Sequence, residues 1–354
     1  MIDTQSVWYL FGILIQIPLA VLRSKIVYDY LDQAYFNIIA TSVLHVFFVG
    51  FTSYLHIIAI VGYTIYLKGK VNTLPFVALL YSHLTYINWS YYNITTASHM
   101  MVVIRAHYYF TDTNPSFHDS LYEDVLSYLL NPVGYFTGPN IPYSTYTDLK
   151  INDEDNLRVD YKSLVNTIRY ATTYVLGHHV FGQVQDMGYF ISLPIRLYLI
   201  RNKYYTIWEL NKFIAQLYGY PDSLAVNVRP EQVESATTIS EVIQNWNVST
   251  QSYLKNMVYK PLLASEISQK QAKVITFVVS GLWHGLTWRY LLSSTGIGLF
   301  TAFASRPFKH YSHKNKTLSK LYRTLETTLS YVYLHAMMGV IMIPFMDQTD
   351  PLAG

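Results

Sequence analysis

The residue of clearest chemical interest is His284, which lies inside one of the longest apolar runs of the chain, residues 274–292. Burial in such a run disfavours the protonated imidazole, so the neutral ring keeps a lone pair that accepts a proton as a general base. Trp283 and Gly285 flank it with a large ring and a backbone open to close approach, which suits a shaped pocket. A histidine hydrogen-bonded between helices for packing is the alternative interpretation.

Asn247 is the second candidate. It precedes apolar residues that recur at helical spacing over 253–258, and this pattern predicts a short amphipathic helix that begins at or just after Asn247 and ends at Pro261. An amide beside the positive end of a helix is a suitable place for a developing oxyanion. A plain helix cap is the alternative interpretation of Asn247.

The composition is typical of a membrane protein. Of the 354 residues, 51% are hydrophobic and only 13% are charged, against about 25% charged in an average soluble domain. The net charge of +3 is too small, and the basic residues are too scattered, to indicate a nucleic-acid partner. The chain has no cysteine, which excludes a thiol nucleophile and a cysteine-based metal site.

The elements that must position Asn247 and His284 are apolar segments long enough to cross or enter a bilayer. They recur near residues 7–22, 34–50, 51–67, 71–89, 94–110, 121–136, 164–182, 187–200, 205–220, 272–290, 291–304 and 325–346. Several contain Pro or Gly or fall short of the ~20 residues of a full crossing. We therefore expect about eight to eleven transmembrane helices, together with re-entrant and in-plane helices. The first segment lacks a basic flank, which predicts a retained span.

Three polar connections interrupt these segments. Residues 148–160 are rich in Asp and predict a solvated loop, whereas residues 221–260 are too polar to span yet contain amphipathic pieces. Residues 306–323 carry several Lys and Arg between apolar segments. The positive-inside rule predicts that this third connection is cytoplasmic.

Two short motifs resemble the paired signature of the membrane-bound O-acyltransferase family. They are Trp246-Asn247-x-x-Thr250-x-x-Tyr253-Leu254 and Trp283-His284-Gly285, in that order along the chain. Phe136-Thr137-Gly138-Pro139 is similar to a Gly-Pro segment of the lysophospholipid branch, and residues 93–105 are similar to a helix there. The similarity covers about residues 90–310. The chain departs where Tyr253 replaces a common Trp and where Arg289-Tyr290 replaces a Gly-Tyr pair, so the acceptor is left open.

The resemblance implies an all-α, polytopic integral membrane protein with its helices around a central tunnel, as a single acyltransferase domain over 1–354. It also implies a multi-pass location in the endoplasmic reticulum membrane. In that family the catalytic residues match Asn247 and His284. We expect substrate contacts from residues of the two motifs and their surroundings: Trp246, Thr250, Tyr253, Trp283, Gly285, Lys255, Lys260 and Arg289.

The implied reaction moves a fatty acyl group from acyl-CoA, as co-substrate, to the free hydroxyl of a lysophospholipid. His284 takes the hydroxyl proton, and Asn247 either stabilises the oxyanion or orients the acceptor. No Gly-x-Ser-x-Gly elbow is present, so we expect direct transfer in a ternary complex. Lys255, Lys260 and Arg289 are candidates for the CoA phosphates, with solvent or headgroup contact as the alternative. We expect membrane lipids as partners and no cofactor or metal; a homo-oligomer is left open.

Other interpretations compete with this one. The same family also acts on other acceptors, such as a protein hydroxyl, a sterol or another lipid alcohol, and a transporter or scaffold could use the same cavity without chemistry. His107-x4-Asp112 spells the box of a different acyltransferase family but lacks its α/β pattern, and His178-His179 lacks the further boxes of a di-iron site. Single histidines on apolar faces predict hydrogen-bonded packing: His45, His56, His83, His99 and His335.

Overall fold

The structure, a computed structural model, describes residues 10–26, 30–67, 74–86, 92–111, 122–151, 161–181 and 189–303, with a few helical residues between 317 and 328. The ordered elements among these residues are helices, and no strand occurs in this part of the chain. The predicted all-α class is therefore confirmed for the described residues.

The helices follow one another along the chain. In the N-terminal part they are α1 (Gln16–Ile26), α2 (Tyr30–Phe48), α3 (Phe51–Leu67), α4 (Leu74–Tyr86), α5 (Tyr92–Thr111), α6 (Tyr122–Leu129), α7 (Tyr143–Ile151), α8 (Lys162–Phe181) and α9 (Tyr189–Leu217). They continue with α10 (Pro230–Glu234), α11 (Ile239–Asn245), α12 (Val248–Leu254), a π-helical turn (Lys255–Tyr259), α13 (Lys260–Ala264), α14 (Gln269–His284) and α15 (Trp288–Phe303).

The chain divides into two compact units. The first comprises Met1–Arg169 and Thr206–Asn227, and the second comprises Tyr170–Tyr205 and Val228–Gly354. Every residue expected at the active site lies in the second unit. The single domain expected over 1–354 stays a prediction.

In the first unit, helices α2, α3, α5 and α6 pack against one another. His45 of α2 is fully buried and hydrogen-bonds Ser53 Oγ through Nε2 and Tyr135 Oη through Nδ1, each at 2.9 Å. His99 Nδ1 lies 2.6 Å from the carbonyl oxygen of Thr95. The hydrogen-bonded packing predicted for His45 and His99 is confirmed.

A buried cation shapes the loop that follows α6. Arg105 of α5 is 3% exposed, and its Nη1 donates to the carbonyls of Leu129 and Asn131 at 3.0 and 2.7 Å. Nη2 donates to the carbonyl of Val133 at 2.6 Å, and Nε donates to Asn140 Oδ1 at 2.9 Å. The guanidinium thus satisfies carbonyl groups at the end of a helix, which would otherwise be left unpaired in a buried loop.

In the second unit, α14 and α15 pack closely because both present glycine at their crossing. A Cβ placed on Gly281 would lie 3.0 Å from Leu291 Cα and 3.0 Å from the carbonyl oxygen of Tyr290. A Cβ on Gly298 would lie 2.8 Å from Phe277 Cβ. Neither position leaves room for a larger residue without movement of a helix.

Several helix boundaries differ from the prediction. Residues 187–200 and 205–220 were expected as two segments, but α9 is continuous from Tyr189 to Leu217. The expected segment 121–136 is helical only to Leu129. Pro261 does not end the helix that follows Asn247, because α12, the π-helical turn and α13 continue without a break to Ala264. The expected segment 325–346 and most of the basic connection 306–323 lie outside the described residues.

Within the described ranges, no helix combines the length and the apolar character that a membrane crossing requires.

Candidate active site

Asn247 lies at the junction between α11 and α12, as the predicted start of the second helix requires. Its backbone is left-handed, with φ 47° and ψ 55°, and its side chain makes no capping hydrogen bond to α12. Its carbonyl oxygen accepts from the amide of Gln251 at 2.9 Å and so begins the helix. Asn247 is therefore the N-cap residue of α12 by position, as the alternative interpretation expected, but without a side-chain capping hydrogen bond.

The side of α12 that carries Thr250 and Tyr253 is buried. Thr250 is 4% exposed, and its hydroxyl has no hydrogen-bond partner among the described residues. Tyr253 is 1% exposed, and burial raises the pKa of its hydroxyl above the ordinary value for tyrosine. Both side chains therefore present neutral hydroxyl groups to the interior of the second unit.

An aromatic contact joins the two halves of the predicted site. The ring centroids of Tyr253 and Trp283 are 4.8 Å apart, with their planes inclined by 44°, and Trp283 is fully buried. Helices α12 and α14 pack against each other in this region. Since Trp283 precedes His284, this contact brings the segment that begins with Asn247 against the segment that ends with His284.

His284 is the last residue of α14, not a residue within one long helix. The expected apolar segment 272–290 is interrupted after it, where Gly285 ends the helix with φ 154° and ψ 163°, a conformation that favours glycine. The half-buried imidazole lies with its ring centroid 6.0 Å from that of Tyr290. The imidazole therefore lies at a helix end and not within a continuous helix.

Trp246 lies between two tyrosines of α9. Its ring centroid is 5.6 Å from that of Tyr204 and 5.9 Å from that of Tyr205, and both pairs are close to perpendicular. A supporting role of α9 at the site was not predicted from the sequence. The sequence did contain a signal for this role, because charged and aromatic residues from Arg201 to Tyr205 interrupt an apolar segment.

The three basic residues expected near a CoA phosphate lie apart from the buried face. Lys255 and Lys260 are exposed at the two ends of the π-helical turn. Arg289 is half-buried, with its guanidinium carbon 5.8 Å from the centroid of the Trp288 ring. The exposed lysines are open to an anion from solvent, whereas Arg289 also covers an aromatic face.

The remaining histidine motifs are only partly described by the structure. His107 lies on α5, while Asp112 lies outside the described residues. His178 packs against Tyr174 with ring centroids 4.6 Å apart. Among the described residues, no group of three or more His, Asp or Glu side chains is arranged to hold a metal ion.

A cavity in the described part of the first unit is lined by the buried residue Arg105. Its polar lining includes Tyr128, Asn131, Asn140 and Tyr146. None of the predicted site residues lines it. The central tunnel expected at Asn247 and His284 stays a prediction.

The comparison with protein families agrees with the paired motifs. Residues 71–343 match the membrane-bound O-acyltransferase family, and the chain belongs to this family. The matched range includes both Asn247 and His284.

Individual relatives of this chain are named glycerophospholipid or lysophospholipid acyltransferases. The chain is 27% identical over 170 residues to a Homo sapiens protein named membrane-bound glycerophospholipid O-acyltransferase 2, which covers 44% of this chain and 31% of the relative. It is 28% identical over 162 residues to lysophospholipid acyltransferase 6 of Drosophila melanogaster, covering 42% of this chain and 22% of the relative. A Schizosaccharomyces pombe lysophospholipid acyltransferase is 28% identical over 130 residues, covering 33% of this chain and 25% of the relative. The chain thus spans less than a third of each of these relatives.

Proposed function

We propose that the chain is an O-acyltransferase that moves a fatty acyl group from acyl-CoA to the free hydroxyl of a lysophospholipid. The observation that carries the proposal is the contact between Tyr253 and Trp283, which joins the Asn247 segment to the His284 segment. The family match and the names of the relatives support the acyl transfer and the lipid acceptor. Acyl-CoA as the donor follows from the resemblance of the motifs.

The chemistry requires a base and an oxyanion donor. His284 accepts the proton of the acceptor hydroxyl while the hydroxyl oxygen forms a bond to the thioester carbonyl carbon. The carbonyl oxygen becomes negative, and Asn247 donates an amide hydrogen to it or holds the acceptor hydroxyl against the base. The C–S bond then breaks, and the proton on His284 passes to the departing thiolate. The general base contributes about 10²–10⁴-fold, and one oxyanion donor contributes about 10²–10³-fold.

Neighbouring side chains supply contacts to the substrate. The buried hydroxyl of Thr250, without a partner among the described residues, is available to a substrate oxygen. Tyr253 keeps its proton because burial raises its pKa, and its ring fixes Trp283. Trp246 and Gly285 border the two catalytic residues along the chain. Lys255, Lys260 and Arg289 attract the phosphates of CoA.

The acceptor is a membrane lipid, and we place the protein as a multi-pass protein in the endoplasmic reticulum membrane. Large apolar side chains are exposed on the helices of the first unit, including Val43 and Phe47 of α2 and Leu84 of α4, which are 62%, 64% and 64% exposed. Exposed apolar side chains at this density are stable in contact with acyl chains and not with water. A lipid acceptor then reaches the site from the bilayer, while acyl-CoA arrives from solvent.

The proposal is tested with purified protein in lipid nanodiscs, incubated with one labelled acyl-CoA and either a lysophospholipid from a panel that differs in headgroup, a sterol or a peptide with a free hydroxyl. We expect labelled diacyl phospholipid and free CoA in equal amounts, and we expect neither from the His284→Ala protein. Mass spectrometry of the products identifies the headgroup. If the intact protein acylates only a sterol or a peptide, the acceptor is wrong and the acyl transfer stands. If the protein produces no free CoA with any of the acceptors, the enzymatic function is wrong.

A further inference from the structure

The carboxylate of Glu234, at the end of α10, is held by two side chains of one turn of α9. Arg201 donates to it twice, with Nε 2.7 Å from Oε1 and Nη2 2.8 Å from Oε2. The hydroxyl of Tyr205 donates to Oε1 at 2.7 Å. A two-point guanidinium contact with a further hydroxyl fixes the carboxylate in direction as well as in distance.

The same turn of α9 also holds the residue before Asn247. Tyr205 packs its ring against Trp246, and Tyr204 packs against Trp246 as well. Tyr205 is 1% exposed and therefore has little freedom to move. One side chain thus connects the Glu234 carboxylate with the indole of Trp246.

The segment from Arg229 to Asn245 is a closed hairpin of two short helices, and it contains Glu234 and ends next to Trp246. The amide of Arg229 donates to the carbonyl oxygen of Asn245 at 2.9 Å and joins the two ends of the hairpin, and helices α10 and α11 pack against each other. A capping box at Thr238 fixes the start of α11. Because Glu234 and Trp246 are both held by α9, the point where the chain leaves the hairpin is fixed.

Asn247 follows directly in a left-handed conformation. Such a backbone persists only where the surrounding structure determines it. The supports on its N-terminal side are the contacts of Trp246 and, through the hairpin, of Glu234.

We propose that Arg201, Tyr205 and Glu234 form a positioning clamp that acts through Trp246 to hold the amide of Asn247 in its reacting position. The inference rests on the proposed role of Asn247 in acyl transfer. The three clamp residues are positioning residues, which direct a neighbour and do not contact the reacting atoms. A small displacement of a reacting group lowers a rate by up to about 10²-fold, so loss of the clamp lowers kcat and leaves KM for acyl-CoA nearly unchanged.

Two variants test the clamp. Glu234→Gln keeps the size of the side chain but removes the charge that Arg201 binds, and Tyr205→Phe removes one hydroxyl while keeping the ring against Trp246. We expect kcat to fall by about 10- to 100-fold for Glu234→Gln and by less for Tyr205→Phe. KM for acyl-CoA stays within about twofold of the parental value.

Asp222→Asn is the matched control. The Asp222 carboxylate also accepts from a cation and a second side chain, Lys212 and Gln216, each at 2.8 Å, but it lies in the first unit. We expect this variant to retain the parental kcat. Amounts of folded protein are equalised by size-exclusion chromatography before rates are compared.

A double-mutant cycle separates positioning from general stability. If the clamp acts through Asn247, then Glu234→Gln slows the parental enzyme strongly but changes the residual rate of Asn247→Ala protein by less than about twofold. An equal loss in both backgrounds overturns the clamp, as does a parental kcat in both Glu234→Gln and Tyr205→Phe. Failure of the proposed function has a different signature, since His284→Ala would then acylate at the parental rate.

Discussion

Asn247 adopts a left-handed backbone that costs most L-residues roughly 1–2 kcal/mol, and only Gly, Asn and Asp tolerate it readily. Its side chain does not cap α12. Glycine also meets the demand that this backbone makes, whereas the chemical role that we propose for Asn247 requires an amide. Substitutions at this one position can separate these demands.

A comparison of Asn247→Gly with Asn247→Ala separates the backbone demand from the chemical demand. Both remove the amide, but only alanine adds left-handed strain, on the order of 1 kcal/mol. We expect both variants to lose acyl transfer to a similar extent, on the order of 10²–10³-fold, and only the alanine variant to unfold at a clearly lower temperature. Steady-state rates and thermal unfolding in detergent provide the two measurements. A glycine variant with the parental rate would show that the amide has no part in the reaction.

At the scale of the helices, the position of His284 depends on the crossing of α14 and α15. Gly281 lies three residues before His284 and allows the backbone of α15 to approach to contact distance. The amide of Gly285 donates to the carbonyl oxygen of Gly281 at 3.2 Å. The turn that presents the imidazole is thus built on the same glycine that permits the crossing.

Gly281→Ala tests this dependence. The added Cβ would lie 3.0 Å from the backbone of α15, so one helix must move, at a cost of about 1–3 kcal/mol in the free energy of unfolding. We expect a lower Tm and a lower kcat. Gly62→Ala is the control, because a Cβ on this exposed helical glycine meets nothing within 4 Å. It leaves stability unchanged or raises it slightly. Equal stability of the two variants would show that the crossing tolerates a methyl group.

The sequence predicted the elements whose local pattern agrees with their environment. The start of α12 followed from polar residues at 247, 249 and 250 and from helical spacing after them. The end of α14 was missed because the apolar run continues through Gly285, where only the backbone conformation breaks the helix. Pro261 was taken as a stop, but it lies at the start of α13 directly after the π-helical turn, and the helical path continues through it to Ala264. The support from α9 depends on contacts between residues far apart in sequence, which local patterns do not specify.

At the scale of the whole molecule, the proposal requires that exposed apolar side chains contact lipid. Val43 is 62% exposed on α2, whereas Lys260 is exposed on the segment that we place at the entrance for acyl-CoA. A residue covered by acyl chains is inaccessible to a charged reagent in water, and one at an aqueous entrance is accessible. The two positions should therefore differ in their accessibility to a charged reagent in native membranes.

The absence of cysteine from the chain makes single-cysteine labelling direct. We expect Val43→Cys to resist a charged maleimide in intact membrane fragments and to react once detergent is added. Lys260→Cys should react in both conditions. Equal labelling of the two cysteines in detergent-free membranes would contradict contact between α2 and lipid.

The central claim is that Asn247 and His284 act on one acyl carbonyl. The most direct test compares the rates of acyl transfer by four proteins at equal amounts of folded protein. They are the parental chain, Asn247→Ala, His284→Ala and the double variant. Residues that act as a unit in catalysis are strongly non-additive. The account predicts that each single variant loses most of the activity and that the double variant is hardly slower than His284→Ala alone. Parental rates in both single variants, or losses that multiply in the double variant, would contradict it.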